Sequence, residues 1–399
     1  MKITSVRCEG YKPFHAPTEL SFAPLTLVFG HNTSGKSALA RLPRLVLRAM
    51  AGGLDLSIGT TRYGESFLDL VHGRDMLGAM RLGLTLERAD QSMAVDATWR
   101  NLYSPDSGNT QFVSRIAATG AGSLDLTWDQ GEAPGAFVDH GGDPIPLLGM
   151  LPKEALPDTD LDPSVWRKAA EDAERELIYL GPHRKGLHPS YAQRNKARLG
   201  DDGSGAPHWL RADAELAADV GAWYAANLGT RLEVDPQGEG FRLIVREGAQ
   251  VLNAVELGEG AQQALPVVTL LFAMIRAQRP SSLVIIEQPE LHLHDAAQGA
   301  LADLLLRAAK ASGPILIETH SELTLLRVRR RIAEQKETWS DLNPPDVAIY
   351  WVEREGARST SKRVEVAADG WVDDWPRTVY DVTFQEVAAL QRAVESAKP

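Results

Sequence analysis

The octapeptide Gly30-His31-Asn32-Thr33-Ser34-Gly35-Lys36-Ser37 follows an apolar run, Leu25–Phe29, and precedes a helix-like segment. A glycine-rich loop between a buried strand and a helix is a phosphate-binding loop, and this setting restricts the chain to an α/β design. Backbone N–H groups in such a loop, with a helix N-terminus behind them, cradle anionic oxygens. Lys36 is then placed to reach the β- and γ-phosphates of a nucleoside triphosphate, and Ser37 to hold Mg²⁺.

Composition narrows the classes. At 399 residues the chain has room for one large domain, or about two to three ordinary ones, with ample core. Its formal charge of −11 supplies no global field toward nucleic acid, so any such contact needs a local patch. Cys8 is the single cysteine, which excludes an intrachain disulfide framework and a multi-cysteine zinc site. The longest apolar stretches, such as Ala264–Ile275, fall far short of a membrane span. The opening MKITSVRCEGYK lacks a long apolar segment, so no secretory signal is expected and the default location is cytoplasmic.

The first half reads as short strands and turns. Strands are expected over 2–9 and 18–29, around a turn at Tyr11–Pro17. A helix follows from Gly35 to about Met50, which Pro43 should kink or shorten by removing a backbone donor. Residues 52–64 are Gly-rich and turn-like. Met80–Glu87, Met93–Trp99 and Leu124–Trp128 alternate apolar and polar residues, as half-buried antiparallel strands do. Asp129–Pro163, rich in Gly, Pro and Asp, reads as a long loop or insertion. Ser164–Glu176 is helical in pattern, Leu177–Leu180 is a strand running into Gly181-Pro182-His183-Arg184-Lys185, and Asp201–Pro207 is a break. A helix is expected over Trp209–Leu228, with strands over Arg231–Val234 and Gly240–Val245.

The second half is more regular. Helices over Glu259–Gln278, Asp295–Ala311 and Glu322–Ala333 alternate with the apolar strands Ser282–Glu287 and Pro314–Glu318, and strands Asp346–Glu353 and Ser361–Val366 follow. That order implies a parallel α/β core. No internal repeat, low-complexity tract or long heptad run is present.

Three further elements complete a chemistry. Leu283-Val284-Ile285-Ile286-Glu287 puts a carboxylate at the C-terminal end of a buried strand, where open α/β sheets bind ligands, and Gln288-Pro289-Glu290-Leu291-His292-Leu293-His294 follows it. His320, just beyond the strand Ile315-Leu316-Ile317-Glu318, is within reach of a γ-phosphate. Leu257-Gly258-Glu259-Gly260 opens a helix whose free N–H groups suit a phosphate.

Together these elements resemble the ATPase heads of the ABC, SMC and OLD-like group, most specifically the small AAA-family ATPases of the OLD-like type found in bacterial defence and genome-maintenance loci. The resemblance rests on GHNTSGKS, IIEQPELHLH, ETHSELTLLRVRRRI, YLGPHR and the late GWVDDWP, and is weaker between about residues 100 and 175. It implies an ABC/SMC-head P-loop NTPase: a mixed sheet with a parallel core, an antiparallel N-terminal lobe and an irregular insertion. The implied organisation is an N-terminal half of the head (1–100), an insertion (101–207), a C-terminal half (208–360) and a short extension (361–399). By resemblance, Lys36 and Ser37 are the Walker A contacts, Glu287 is the Walker B acid sharing the metal with Ser37, Gly258 and Gly260 are signature glycines, and His320 is the switch histidine. Phe67–Gly73 falls where such heads carry a Q-loop, but no glutamine is present.

The resemblance implies ATP and Mg²⁺ as ligands and a switch that dimerises head to head around them. A second copy of the chain and a separately encoded nuclease or toxin are the implied partners, with DNA, through a local patch, as a further candidate; a membrane is not. Where such heads read Asp-Glu, this chain reads Glu287-Gln288. A glutamine orients water but cannot accept its proton. Either Glu290 supplies the carboxylate, the reading favoured here, or turnover is slow and the ATP state persists. Beyond Val366 only roughly thirty residues remain, too few for a TOPRIM-type nuclease domain. Two basic clusters, Arg41/Arg44/Arg48 and Arg327/Arg329/Arg330/Arg331, read as solvated or salt-bridged faces, or as a DNA or partner contact. Rival readings are a transporter's nucleotide-binding subunit, a nucleotide-gated scaffold without useful turnover, and an intrinsic nuclease.

Overall fold

The computed structural model describes residues 1–373 and 375, apart from 89–90, 105–107, 121, 131, 139–141, 157–158, 195–196, 248–249, 278–280 and 335–338. Gln278, the expected end of one helix, and residues 374 and 376 of the GWVDDWP segment lie outside the described residues.

A six-stranded sheet forms the centre, in the order Ile178–Leu180, Val284–Glu287, Ile315–Thr319, Leu25–Gly30, Val347–Glu355, Arg358–Val364. The first five run parallel and the last returns as an antiparallel hairpin partner. Leu25–Gly30, Val284–Glu287 and Ile315–Thr319 are buried at every position, which is why they read as continuous apolar runs. Alternate side chains face opposite layers. Val28, Ile285 and Leu316 join the core shared with the P-loop helix Lys36–Ala51 and the N-terminal sheet. Leu27, Ile286 and Ile317 join the core shared with the helices Ala214–Leu228, Glu259–Ala277 and Asp295–Ser312.

The N-terminal lobe is a six-stranded antiparallel sheet, ordered Thr18–Ser21, Lys2–Glu9, Ala79–Arg88, Gln91–Ser104, Gly108–Gly120, Gly122–Thr127. The expected boundary at residue 100 therefore falls inside a strand, and the sheet continues to Thr127. The strand expected over 18–29 is two strands in two different sheets, divided at Phe22-Ala23-Pro24. Gly108–Gly120 was not anticipated. Pro43 does not shorten its helix, which runs 16 residues with the ring buried. The helix expected over Trp209–Leu228 is two, Ala206–Ala212 and Ala214–Leu228, because Asp213 stops one and caps the next through the N–H groups of Glu215 and Leu216. Among the described residues, Asp129–Pro163 carries two short antiparallel strand pairs, Phe137–Val138 with Pro144–Ile145 and Leu147–Leu148 with Leu151–Pro152. A third sheet of Tyr191–Ala192, Arg231–Gln237, Gly240–Glu247 and Gln250–Asn253 leads into the helix that begins at Glu259. No described helix is long and apolar enough to cross a membrane.

Candidate functional site

The P-loop leaves its buried strand at Gly30 and enters its helix at Lys36. Thr33 and Gly35 take positive φ, 64° and 101°, which turns the chain tightly over the helix N-terminus. At Gly35 a Cβ would also lie 2.7 Å from the Pro13 ring, so only glycine fits. Lys36 is buried, and its Nζ donates to the His31 carbonyl at 2.6 Å. Burial pushes its pKa down to about 8, against the opposing pull of Glu318 and Glu290. Ser34 is buried with an unpartnered Oγ, the Thr33 carbonyl accepts from Arg354 at 3.0 Å, and the His31 ring packs edge-on to Trp351.

The loop forms one wall of a cleft of about 830 Å³. Asn32, Thr33, Gly35, Lys36 and Ser37 line it on one side, with Gln288, Glu318 and His320 from the neighbouring strand ends. Lys12, Asp69, Gly73, Arg74 and Arg354 close the rim. The segment 67–73, where a Q-loop was expected, thus does border the cleft, with an aspartate instead of a glutamine. Asp69 is held well below the usual carboxylate range by Arg74 and by the N–H groups of Ser66 and Glu65.

Glu287 and Glu318 end adjacent parallel strands and are register partners, both on the face turned to the P-loop helix. Each is almost wholly buried. Glu287 is engaged by Arg41, whose Nε and Nη2 donate to its two oxygens at 2.6 Å each, and by the Tyr179 hydroxyl at 2.6 Å. Glu318 accepts from the Ser37 hydroxyl at 2.7 Å through Oε1, and its Oε2 is buried without a partner. Burial first, and the Glu287 charge second, push its pKa up to about 7.

Gln288 adopts φ 46° and turns the chain out of its strand, with its own N–H donating to the Glu318 carbonyl at 2.7 Å. Glu290 is turned inward: its Oε1 accepts from the Thr319 hydroxyl at 2.8 Å and the His320 N–H at 2.9 Å. It does not line the cleft, so the expectation that it serves the attacking water finds no support in its position. Arg184, from the Gly181–Lys185 turn, donates to the carbonyls of Glu287 and Gln288, and its own carbonyl accepts from Gln263. His320 is half-buried, and burial, Lys36 and His31 together push its pKa down to about 4, so the ring is neutral at pH 7.

Gly258 and Gly260 stand elsewhere, at the start of the helix Glu259–Ala277, and neither lines the cleft. Gly258 is exposed with nothing within 4 Å of a Cβ position, whereas a Cβ on Gly260 would meet the His292 carbonyl at 2.2 Å.

Among the described residues, no group of three or more His, Cys, Asp or Glu is placed to hold a metal by itself. Ser37 and a carboxylate with a free buried oxygen do fit a hard cation that completes its shell with phosphate oxygens and water. The basic clusters are engaged within the chain: Arg41 with Glu287, Arg44 with Asp201, Arg48 with Glu174, and Arg327 and Arg331 with Asp303. Arg330 pairs with Glu334, and Arg329 donates to the Gly370 carbonyl. Local salt bridging is thus the role the geometry assigns them.

Sequence reasoning assigned no role to Tyr179, Arg184 or Glu318, and read Arg41 only as part of a basic helix face, without naming Glu287 as its partner. For Arg41 a signal existed: it lies four residues beyond Ser37, on the same face of the helix.

A family profile described as "AAA domain, putative AbiEii toxin, Type IV TA system" matches residues 25–327. No curated protein matches the sequence. Solved structures are similar across most of the chain. An SmcHead bound to the C-winged helix domain of ScpA shares 12% identity and covers 92% of this chain and 98% of its own, with a TM-score of 0.54. An SMC head domain from Thermotoga maritima has 13% identity, coverage of 92% and 100%, and a TM-score of 0.45. An Smc head domain with an extended coiled coil, bound to the C-terminal domain of ScpA derived from Pyrococcus furiosus, has 10% identity, coverage of 99% and 99%, and a TM-score of 0.49. At these identities the likeness is one of fold: a P-loop ATPase head with a mixed sheet and a parallel core.

Proposed function

The chain belongs to this AAA-domain family, and on that premise we propose that it is an ATP-binding and ATP-hydrolysing switch whose two copies close head to head around ATP and Mg²⁺. The observation that carries the reading is the cleft itself. It brings the P-loop residues Lys36 and Ser37 together with the strand-end groups Gln288, Glu318 and His320. The triphosphate supplies the energy and Mg²⁺ neutralises its oxygens. The chain's own share is positioning. Lys36 exchanges the His31 carbonyl for phosphate oxygens, the loop N–H groups cradle them, and neutral His320 offers a ring nitrogen at the γ-phosphate side.

The dimer part of the proposal is supported by Gly258 and Gly260. An exposed, glycine-flanked helix start that is absent from its own cleft suits the phosphates of a second copy. The motifs shared with OLD-like ATPases support a cytoplasmic role in phage defence or DNA maintenance, with a separately encoded nuclease or toxin as the effector. A second reading, a nucleotide-gated scaffold with little turnover, is favoured by one observation: Gln288 borders the cleft where a base is expected, and the nearest alternative, Glu290, is turned away.

Calorimetric titration with MgATP tests the core of the proposal. The parent is expected to bind, and Lys36→Ala to bind at least about 100-fold more weakly, because a charge-assisted contact worth roughly 3 kcal/mol is lost. Equal affinity of the two would remove the P-loop assignment. Phosphate release at saturating MgATP then separates the turning-over switch from the scaffold.

A further inference from the structure

The geometry points to Glu318 as the carboxylate that holds the divalent metal beside Ser37, with Glu287 acting as a charge-neutralised support. This deepens the ATP-switch reading and rests on it.

Three observations converge. First, both oxygens of Glu287 are committed: Arg41 engages the two together, and Tyr179 donates to one of them. A bidentate guanidinium already neutralises that carboxylate, and Glu287 does not line the cleft. Second, Glu318 does line it, and is bonded to the one P-loop hydroxyl whose ordinary task is metal ligation. Third, the other oxygen of Glu318 is buried and has no donor, in a side chain only 3% exposed. An unpaired buried carboxylate oxygen is costly, and a cation relieves the cost.

The arrangement also explains why two acids are tolerated side by side. Glu287 and Glu318 are cross-strand partners, so their charges repel at close range. Arg41 engages the first as a contact ion pair, whereas among the described residues the second makes no such pair and meets Lys36 and Arg41 only at longer range. Magnesium sites of this kind use one or two carboxylates and complete their shell from phosphates and water. Ser37, Glu318 and the nucleotide supply that set. Lys36 is not a substitute for the metal here, because its ammonium is bonded to the His31 carbonyl.

The test is a metal titration, with full-length protein and a non-hydrolysable ATP analogue. Mn²⁺ binding is followed by electron paramagnetic resonance, and analogue binding is measured by calorimetry with and without EDTA. For Glu318→Gln, Mn²⁺ affinity in the ternary complex is expected to fall at least about 10-fold, while analogue affinity in EDTA stays within about 3-fold of the parent. The EDTA measurement shows that the variant is folded. For Glu287→Gln, the Mn²⁺ affinity is expected to stay within about 3-fold. Undiminished Mn²⁺ affinity in Glu318→Gln overturns the inference, as does a larger loss in Glu287→Gln than in Glu318→Gln. A parent protein that binds no analogue under either condition overturns the ATP-switch reading itself, and the inference with it.

Discussion

Glu287 and Glu318 sit opposite each other at the ends of two parallel strands, and the P-loop helix engages both, Arg41 the first and Ser37 the second. The match is geometric. One turn of helix separates Ser37 from Arg41 by about 6 Å, close to the roughly 4.8 Å between neighbouring strands. Helix and sheet therefore hold two acids in fixed positions while giving only the first a cation at contact distance.

The pH dependence of stability follows from Glu318. Its folded pKa is raised to about 7, against an ordinary value of 4.5. The folded protein therefore keeps a proton that the unfolded chain releases, and stability falls as pH rises between those values. Glu318→Gln removes the penalty. The nucleotide-free variant is expected to melt a few degrees above the parent at pH 8, and no higher than the parent at pH 4.5. A shift of equal size at both pH values would contradict the assignment.

His320 carries the opposite sign. Its folded pKa is lowered to about 4 from an ordinary 6.5, so the unfolded chain takes up the proton first, and stability is lost as pH falls through that range. His320→Gln is expected to raise the melting temperature relative to the parent near pH 4, with the gain vanishing above pH 6.5. Thermal scans across that window check it, and a gain that persists at pH 8 would mean that charge is not its cause.

Gly258 and Gly260 separate folding from association. Gly260→Ala drives a methyl into the His292 carbonyl and should cost about 1–3 kcal/mol of stability. Gly258→Ala meets open space, so its stability should stay within about 0.5 kcal/mol of the parent. ATP-dependent association of Gly258→Ala should nevertheless weaken at least about 10-fold, because the added methyl lies where a partner's phosphate approaches. Unchanged association would leave Gly258 without a signature role.

The water-activating position is tested by a pair of variants. Gln288 borders the cleft and Glu290 is bonded to Thr319 and His320. Gln288→Glu is expected to speed single-turnover hydrolysis by roughly 10²-fold, the lower end of what general-base assistance supplies. Glu290→Gln, which keeps an acceptor for Thr319, is expected to stay within a few-fold of the parent. A large loss in Glu290→Gln with no gain in Gln288→Glu would restore Glu290 as the working base.

The parts of the fold written as local patterns were legible in the sequence. Buried parallel strands such as Val284–Glu287 and Ile315–Thr319 are apolar up to the acid near their C-terminal ends, and the P-loop carries its own spacing. The strand Gly108–Gly120 escaped because a register shift at Thr98/Trp99 breaks its alternation, leaving both Phe112 and Val113 buried. The division of 18–29 into two sheets depends on partners distant in the chain. The same reason hid Glu318. Its place opposite Glu287 is a matter of register between strands, which no single segment encodes. The inward turn of Glu290 is likewise a tertiary fact, fixed by Thr319 and the His320 N–H.

Sedimentation velocity on the full chain, with and without MgATP and across a wide range of protein concentration, tests the central claim most directly. A closing head dimer predicts a mass near one chain without nucleotide, a mass near two chains with MgATP, and loss of that shift in Lys36→Ala. The same mass with and without MgATP at every concentration would contradict it.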